Sequence, residues 1–316
     1  CLAFKKLGHN VTVFVPDSQI SSRIQYDRHF GIDVLRIKTG KVRDCSNLRR
    51  LLNEALMPFY MWRIYSRSNF FRLDFDGVIT YSPSIFFTPL SNKLKKSSNC
   101  SSYLILRDIF PQWAHDLGLL KKGFVFNILE RVALAQYRNA NVIGVQSASN
   151  VACLPNLSKN ANAAEVEVLY NWLAYRPSPE RPLLNLSKTA LAGKKIFVYA
   201  GNIGIAQGVY SLMGLLKNFK DRVDIGFLFI GRGTEFRKFD KEVSKNGIPN
   251  VLFHPEVPSE TLSYIYRQCV AGIVILDQRH TTHNIPGKFV SYMTHGLPVL
   301  AFVNPGNDIL SIVKEF

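Results

Sequence analysis

The sequence lacks several features that mark common protein classes. Its five cysteines lie far apart and form no Cys-x-x-Cys pair, which argues against a structural zinc site or a disulfide framework and suits a reducing compartment. No run of about 18 apolar residues occurs, so no membrane-spanning helix is predicted in this stretch. A Gly-x-Ser-x-Gly motif is also missing, and no Cys and His are placed for nucleophilic catalysis.

Acidic residues are few. The chain has 23 Asp and Glu against 39 Lys and Arg, a net charge of +16 at pH 7. This excess predicts an anionic partner, which could be nucleic acid, an anionic membrane or a phosphate-bearing ligand. A hydrophobic content of 47% with 20% charged residues indicates a globular protein, and 316 residues fit two domains.

The hydrophobic pattern predicts strands alternating with helices. Strands are predicted at 10–15, 77–81, 102–106, 141–145, 195–200, 224–230, 271–276 and 298–302, and helices at 1–7, 124–139 and 209–219. Such alternation calls for α/β domains with parallel sheets covered on both faces. Because the first helix has no strand before it and the chain ends abruptly at Phe316, we expect truncation at both ends.

Two tandem Rossmann-like, doubly wound domains are the simplest architecture. We expect an N-terminal domain over 1–170, a linker over 171–193 that contains three prolines, and an incomplete C-terminal domain over 194–316. Ligands of such sheets bind beyond the carboxyl ends of strands, and a cleft between two such domains is the expected site.

Glycines follow two predicted strands of the second domain. The segment Gly201–Gly208 has the spacing GxxGxxxG, which is neither the dinucleotide fingerprint nor a P-loop. Glycines here would let backbone N–H groups approach a phosphate at a helix start. A plain tight turn is the alternative, and it is the stronger one for Gly231-Arg232-Gly233.

Lys288 lies in the first turn of a predicted helix that Pro286 starts and Gly296 ends. The helix dipole disfavours a cation there, so a bound anion would explain the lysine. A solvated surface lysine is the alternative.

The motifs together resemble those of family 4 glycosyltransferases of the GT-B fold, in the branch that builds bacterial capsule, O-antigen and exopolysaccharide. The resemblance rests, in chain order, on 8–13, on Arg107-Asp108-Ile109-Phe110-Pro111 with 117–120, on 199–208, on 227–231, and on 286–289 with 296–299. It therefore runs through essentially the whole chain.

The resemblance implies a donor site on the second domain and acceptor binding on the first. Two family glutamates match His283 and Ser291, a common lysine matches Gln207, and a common His-Asp pair matches Arg107-Asp108, which leaves Asp108 as the cleft carboxylate. The implied donor-binding residues are Gly201, Asn202, Gly204, Gln207, Gly208, Gly231, Arg232, Gly233, His283, Lys288 and Ser291.

The implied activity is transfer of a sugar from a nucleotide-diphosphate sugar to a lipid-linked saccharide. The resemblance implies retention of configuration and no metal or other cofactor, with backbone amides and basic side chains stabilising the departing diphosphate. Two alternatives stay open: a nucleotide-sugar epimerase of the same fold, and a non-catalytic module that binds nucleotide sugars or membranes.

Residues 36–72 are basic with interleaved leucines and aromatics. Their nine Lys and Arg are Arg36, Lys38, Lys41, Arg43, Arg49, Arg50, Arg63, Arg67 and Arg72. We predict an interfacial membrane segment bound through Arg49, Arg50, Arg63 and Arg67, and hence a cytoplasmic protein peripheral at the inner face of the cell membrane. No nucleic-acid module is recognised, so no nucleic-acid partner is expected. A solvated face over core aromatics is the alternative, and Pro58 could kink or split the helix.

Two further patterns suggest metal chemistry weakly. Asp74-Phe75-Asp76 is a DxD sequence, but it precedes a predicted strand, which favours a solvated turn. His280, His283 and His295 lack the spacing and partners of a zinc site. We therefore predict no metal site.

Overall fold

The computed structural model describes residues 1–42, 44–154, 164–173 and 184–315. Its helices are α1 (Leu2–Lys6), α2 (Asn47–Tyr65), α3 (Thr88–Ser97), α4 (Gln112–Asp116), α5 (Phe124–Asn139), α6 (Ala148–Cys153), α7 (Met213–Asn218), α8 (Phe236–Lys245), α9 (Leu262–Tyr266), α10 (Gly287–Thr294) and α11 (Ile309–Glu315). Its strands are β1 (Thr12–Asp17), β2 (Ile24–His29), β3 (Ile32–Lys38), β4 (Gly77–Ser82), β5 (Ser101–Leu106), β6 (Val142–Val145), β7 (Glu165–Val168), β8 (Lys195–Ala200), β9 (Ile225–Gly231), β10 (Val251–Pro255), β11 (Ala271–Ile275) and β12 (Val299–Phe302).

The chain forms two compact units. Unit 1 comprises Cys1–Pro111, Lys122–Val145 and Leu154–Glu167, and unit 2 comprises Gln112–Lys121, Gln146–Cys153 and Val168–Phe316. The division differs from the predicted boundaries, because two short segments from the first half of the chain belong to unit 2.

The predicted linker over 171–193 is also partly inside unit 2. Leu186 and Leu191 are buried in the core of that unit, so this end of the segment packs as part of a domain. Residues 174–183 of the predicted linker lie outside the described residues.

Unit 1 contains two sheets. The first has the order β1-β3-β2 and the second β4-β5-β6-β7. The predicted parallel pairing holds for β1–β3, β4–β5 and β5–β6, whereas β2 and β3 form an antiparallel hairpin. The hairpin turn at Phe30 and Gly31 has positive φ at both residues, the geometry that lets a two-residue turn reverse twisted strands.

Three helices of unit 1 pack side by side. α2 runs unbroken through Pro58 and packs on β3, whereas α3 packs on β4 and β5 and contacts both α2 and α5. The prediction that Pro58 could split the helix is therefore wrong. In the described ranges of the chain, no helix is both long and apolar enough to cross a membrane.

Unit 2 is built on one parallel sheet of order β10-β9-β8-β11-β12. Its strands bury side chains on both faces: Phe227 and Phe229 of β9 join one core cluster, and Leu228 and Ile230 join the other. The strand order reverses between β8 and β11. This is a topological switch point, where ligands of doubly wound sheets bind, and it confirms the predicted fold class for this unit.

Candidate functional site

Two loops leave the switch point of unit 2 at the carboxyl edge of its sheet. We call residues 201–208, which follow β8, the β8 loop, and residues 276–286, which follow β11, the β11 loop. Between β8 and β11 the register contains two residue pairs, Ala271 with Phe197 and Gly272 with Val198. Beyond these pairs the two strands part.

A buried tyrosine hydroxyl occupies the place where β8 and β11 part. The Ala200 N–H donates to the Tyr292 hydroxyl at 2.9 Å, and this hydroxyl lies 3.3 Å from the Val198 carbonyl. The ring reaches this depth because residue 272 is glycine: a Cβ there would collide with the Tyr292 ring. Helix α10 is thereby bonded to the end of β8.

Several backbone N–H groups of the β8 loop are already hydrogen-bonded within the protein. The Gly201 N–H donates to the Ile230 carbonyl at 2.9 Å, the Ile203 N–H to the Arg232 carbonyl at 2.8 Å, and the Gly204 N–H to Gln207 Oε1 at 3.0 Å. The sequence suggested that the N–H groups of this loop could bind a phosphate. Because several of them are already hydrogen-bonded within the protein, only some are available to a ligand.

Three amides of the β8 loop differ from the rest. Within the described ranges, the N–H groups of Asn202, Ile205 and Ala206 have no hydrogen-bond acceptor. Ile205 and Ala206 open a 3-10 turn, so their N–H groups are the unsatisfied donors that a helical start presents to an anion.

The predicted helix at 209–219 begins later than expected. A second 3-10 turn covers Val209–Leu212, and α7 follows it. Gly208 explains the delay: it is left-handed, at φ 60°, and a Cβ on it would lie 2.8 Å from Asp277 Cα. The β8 loop is therefore pressed against the β11 loop before its helix can start.

Gly231 and Gly233 serve packing between strand ends. A Cβ on Gly231 would strike the Gly201 carbonyl, and one on Gly233 would strike the Ile203 carbonyl. The structural-turn alternative accounts for both glycines, and contact with a nucleoside stays a prediction. Arg232 between them is exposed, and its Nε lies 2.9 Å from Glu256 Oε2.

Lys288 lies beside the β8 loop. α10 places it in its first turn, as predicted, and its Nζ lies 4.5 Å from the centre of the Tyr199 ring. Its Cε would be 3.4 Å from a Cβ on Gly201. Burial lowers the pKa of Lys288 to about 8. A cation without an acidic partner in the described residues therefore stands next to a loop with unsatisfied N–H groups.

The β11 loop is held by an ion pair within it and by residues from elsewhere in unit 2. Asp277 forms a two-point ion pair with Arg279, at 2.9 and 2.8 Å, which lowers the pKa of Asp277. Arg279 also donates to the Leu117 carbonyl at 3.2 Å. Asp116 accepts from the N–H and the hydroxyl of Thr281, at 3.0 and 2.5 Å.

Two amide side chains fix the last part of the β11 loop. Gln146 Oε1 accepts from the Ile285 N–H at 3.2 Å and from Asn171 Nδ2 at 3.1 Å, and Asn171 Nδ2 also donates to the Ile285 carbonyl at 2.6 Å. Asn150 donates to the Thr282 carbonyl. Sequence analysis missed these residues, because an isolated Gln or Asn carries no local signal of a distant backbone partner.

His283 lies on the β11 loop, at a left-handed backbone with φ 51°. Its Nδ1 is buried and has no hydrogen-bond partner in the part of the chain that the structure describes. Gly306 packs near the His283 ring: a Cβ built on this glycine would lie 3.6 Å from His283 Cε1. Ser291 lies one turn after Lys288 on α10, with its hydroxyl 3.4 Å from the Tyr266 hydroxyl. Binding of a ligand by either residue stays a prediction.

Asp108 belongs to unit 1. It is the second residue after β5, beyond the carboxyl end of that parallel strand, and is half-buried. Burial lowers the pKa of its neighbour Arg107, against an opposing effect of Tyr81 and Asp108. Asp108 thus has the place of a ligand-facing residue in a parallel sheet, and a catalytic role stays a prediction.

No metal-binding cluster is found among the residues that the structure describes: no three His, Cys, Asp or Glu side chains come together. Asp74-Phe75-Asp76 precedes β4, as predicted.

A doubly wound domain with a lysine and unsatisfied N–H groups at its switch point is typical of nucleotide-binding proteins. Comparisons with known proteins narrow this class further. Residues 185–314 match the family model "Glycosyl transferases group 1". This match covers most of unit 2 and confirms, for that part of the chain, the resemblance to glycosyltransferases noted from the motifs.

Two curated relatives are bacterial. The probable glycosyltransferase WbjE of Pseudomonas aeruginosa is 22% identical over 218 residues, which cover 67% of this chain and 53% of WbjE. The putative colanic acid biosynthesis glycosyl transferase WcaI of Escherichia coli K12 is 24% identical over 305 residues, which cover 92% of this chain and 74% of WcaI. The chain thus spans about half the length of the first relative.

Solved structures share the fold. Sucrose-phosphate synthase from Thermosynechococcus elongatus superposes with a TM-score of 0.67 at 13% identity, over 95% of this chain and 72% of that one. Anabaena HepE, in complex with UDP and glucose, superposes with a TM-score of 0.56 at 15% identity, over 86% of this chain and 67% of that one. These likenesses confirm the predicted GT-B fold.

Proposed function

We propose that this chain is a glycosyltransferase that moves a sugar from a nucleotide-diphosphate sugar to a saccharide acceptor during bacterial polysaccharide synthesis. One observation carries the proposal: at the switch point of unit 2, the Lys288 ammonium lies close to the β8 loop, which has unsatisfied N–H groups. Together they offer positive charge and donors where a diphosphate would sit.

The donor diphosphate would be the ligand of Lys288 and the β8 loop. A departing nucleoside diphosphate gains negative charge as the glycosidic bond breaks, and preorganised donors stabilise that charge. Lys288 would supply a charge-assisted hydrogen bond, and the N–H groups of Asn202, Ile205 and Ala206 would supply fixed dipoles. HepE was solved with UDP and glucose, which supports a nucleotide of this type.

His283 would contact the sugar of the donor. Its buried Nδ1 has no partner among the residues that the structure describes, and a sugar hydroxyl would satisfy it. Asp108 would orient the acceptor hydroxyl or accept its proton. We further propose retention of configuration, because the motifs resemble those of a retaining family.

The acceptor would be a lipid-linked saccharide. WcaI is named for colanic acid biosynthesis, which supports a role for this chain in the assembly of a bacterial polysaccharide. α2 would bring the protein to that lipid: Leu48, Leu52, Leu56 and Phe59 form an exposed apolar ridge along it. Arg49, Arg50 and Arg63 on the same helix, and Arg67 just after it, are exposed and suit anionic headgroups.

Calorimetric titration tests the donor site. The parent protein is titrated with UDP, GDP, ADP, CDP and dTDP and then with the nucleoside of whichever binds. Lys288→Ala should weaken the diphosphate by about 10- to 150-fold, since a charge-assisted hydrogen bond contributes roughly 1.5–3 kcal/mol. The bare nucleoside should bind equally well.

Lys241→Ala provides the matched control, because Lys241 is an exposed lysine on α8 away from the switch point. It should leave every affinity unchanged. If no diphosphate binds the parent, or if Lys288→Ala and Lys241→Ala behave alike, the proposed donor site is wrong.

A further inference from the structure

Helix α5 exposes apolar side chains on the face opposite its core. Phe124 is 81% exposed and Ile128 is 42% exposed, although both belong to a well-formed helix. At 100° per residue they share a stripe with Arg131 and Arg138, which are also exposed. The buried residues of α5, such as Ala133, lie on the other side. A helix facing only water would carry polar residues along this stripe.

The exposed stripe of α5 belongs to a larger surface of unit 1. α3 lies between α2 and α5, contacts both, and exposes Lys93 and Lys96. The outward side of all three helices is therefore one face, which we call the three-helix face. Its members are Leu48, Leu52, Leu56, Phe59 and Arg63 of α2, Lys93 and Lys96 of α3, and Phe124, Ile128, Arg131 and Arg138 of α5.

The charge of these helices is mainly positive. α2, α3 and α5 contain eight Lys and Arg but two acidic residues, Glu54 and Glu130. Glu54 is neutralised by Arg50, whose Nε lies 2.7 Å from its Oε1. Apolar side chains surrounded by cations suit a layer that offers acyl chains beneath anionic headgroups.

We propose that Phe124 and Ile128 insert into an anionic membrane together with the α2 ridge, so that unit 1 docks through the whole three-helix face. This inference extends the membrane association in the proposed function and does not depend on the donor site. A second copy of the chain fits the face poorly, because a two-fold contact would oppose Arg and Lys with Arg and Lys.

Binding of the full chain to sedimented vesicles tests the inference. The probes are vesicles of phosphatidylcholine alone and of phosphatidylcholine with phosphatidylglycerol. Phe124→Ser/Ile128→Ser should reduce partitioning onto the anionic vesicles at least about tenfold, because two apolar side chains no longer leave water. Both positions are exposed, so the fold should be retained.

Phe30 offers a matched control. It is 87% exposed and lies in the same unit, but at the β2–β3 hairpin turn and not on the three-helix face. Phe30→Asn suits its positive φ and should leave vesicle binding unchanged. Neutralising Arg49, Arg50, Arg63 and Arg67 to Gln should abolish the salt-sensitive part of binding, and Arg131→Gln/Arg138→Gln should weaken it about fivefold or more.

Each outcome decides the inference. A loss with the α5 variant but not with Phe30→Asn supports it. Parent-like binding of the α5 variant overturns it, even if the arginines of α2 still matter, and so does absence of parent binding to anionic vesicles. Dimerisation that Phe124→Ser/Ile128→Ser abolishes would assign the face to a second copy instead. Diphosphate titration of the same variants should match the parent, which separates this result from a failure of the donor site.

Discussion

The β8 loop and the β11 loop meet at the same switch point, but they are held in different ways. The β8 loop is shaped by close backbone contact, with Gly231 and Gly233 allowing the next strand end to touch its carbonyls. The β11 loop is held by polar side chains that reach it from far along the chain, among them Asp116, Gln146 and Asn171. The first kind of loop tolerates no added atom, whereas the second depends on the number of its hydrogen bonds.

The largest effect should come from Gly231→Ala. The new Cβ would overlap the Gly201 carbonyl, and backbone cannot move aside as a flexible side chain can. We expect a loss of about 3 kcal/mol or more in the free energy of unfolding, or failure to fold. Urea unfolding at pH 7 measures it.

Gly214→Ala is the control, because a Cβ on this glycine of α7 has nothing within 4 Å. It should stabilise the protein by about 1 kcal/mol through helix propensity. Equal stabilities for Gly231→Ala and the parent would show that the β8 loop is not set by backbone contact.

Gln146→Leu should have the next largest effect. It leaves the buried Ile285 N–H without its acceptor, which costs about 1–3 kcal/mol of stability. The start of α10 should shift with Ile285, so nucleoside diphosphate affinity should fall as well. Thermal unfolding and calorimetric titration measure the two effects.

A double-mutant cycle of Gln146→Leu with Asn171→Leu sharpens the comparison. Because both side chains hold Ile285, their effects should couple by about 1 kcal/mol, and strict additivity would contradict a shared clamp.

The smallest effect in the ligand-free protein concerns Lys288. Burial lowers its pKa from 10.5 to about 8, so between these pH values the unfolded chain holds a proton that the folded one has released. Stability should therefore rise with pH across this window. Lys288→Met should raise the free energy of unfolding at pH 7 by about 1 kcal/mol.

Ligand binding should show the opposite trend with pH. If the ammonium contacts the diphosphate, affinity should stay constant below pH 8 and fall up to about tenfold per pH unit above it. Lys288→Arg, which stays charged, should show a flat profile over the same range. A falling profile in both proteins would assign the titration to another group.

Local sequence patterns were sufficient to predict several elements of each unit. β8 over 195–200 and α5 over 124–139 were predicted with the bounds that the structure has, and Lys288 lies in the first turn of α10 as expected. Hydrophobic runs and Pro or Gly boundaries act within a few residues, so they are legible along the chain.

The anchors of the β11 loop could not be predicted this way. The partners of Thr281 and Ile285 lie 165 and 139 positions away, and a polar residue in the first half of the chain gives no sign of them. The hairpin turn at Phe30 was hidden for a different reason, since a phenylalanine with positive φ runs against turn preferences.

Tyr292 has a consequence for the order in which the protein folds. The amide at the end of β8 finds its acceptor on α10 and not on β11, so β8 cannot complete its hydrogen bonds until that helix has docked. The end of β8 and α10 would then form together, and open together in a partial unfolding event. Hydrogen exchange at Ala200 would report each departure of α10 from the sheet.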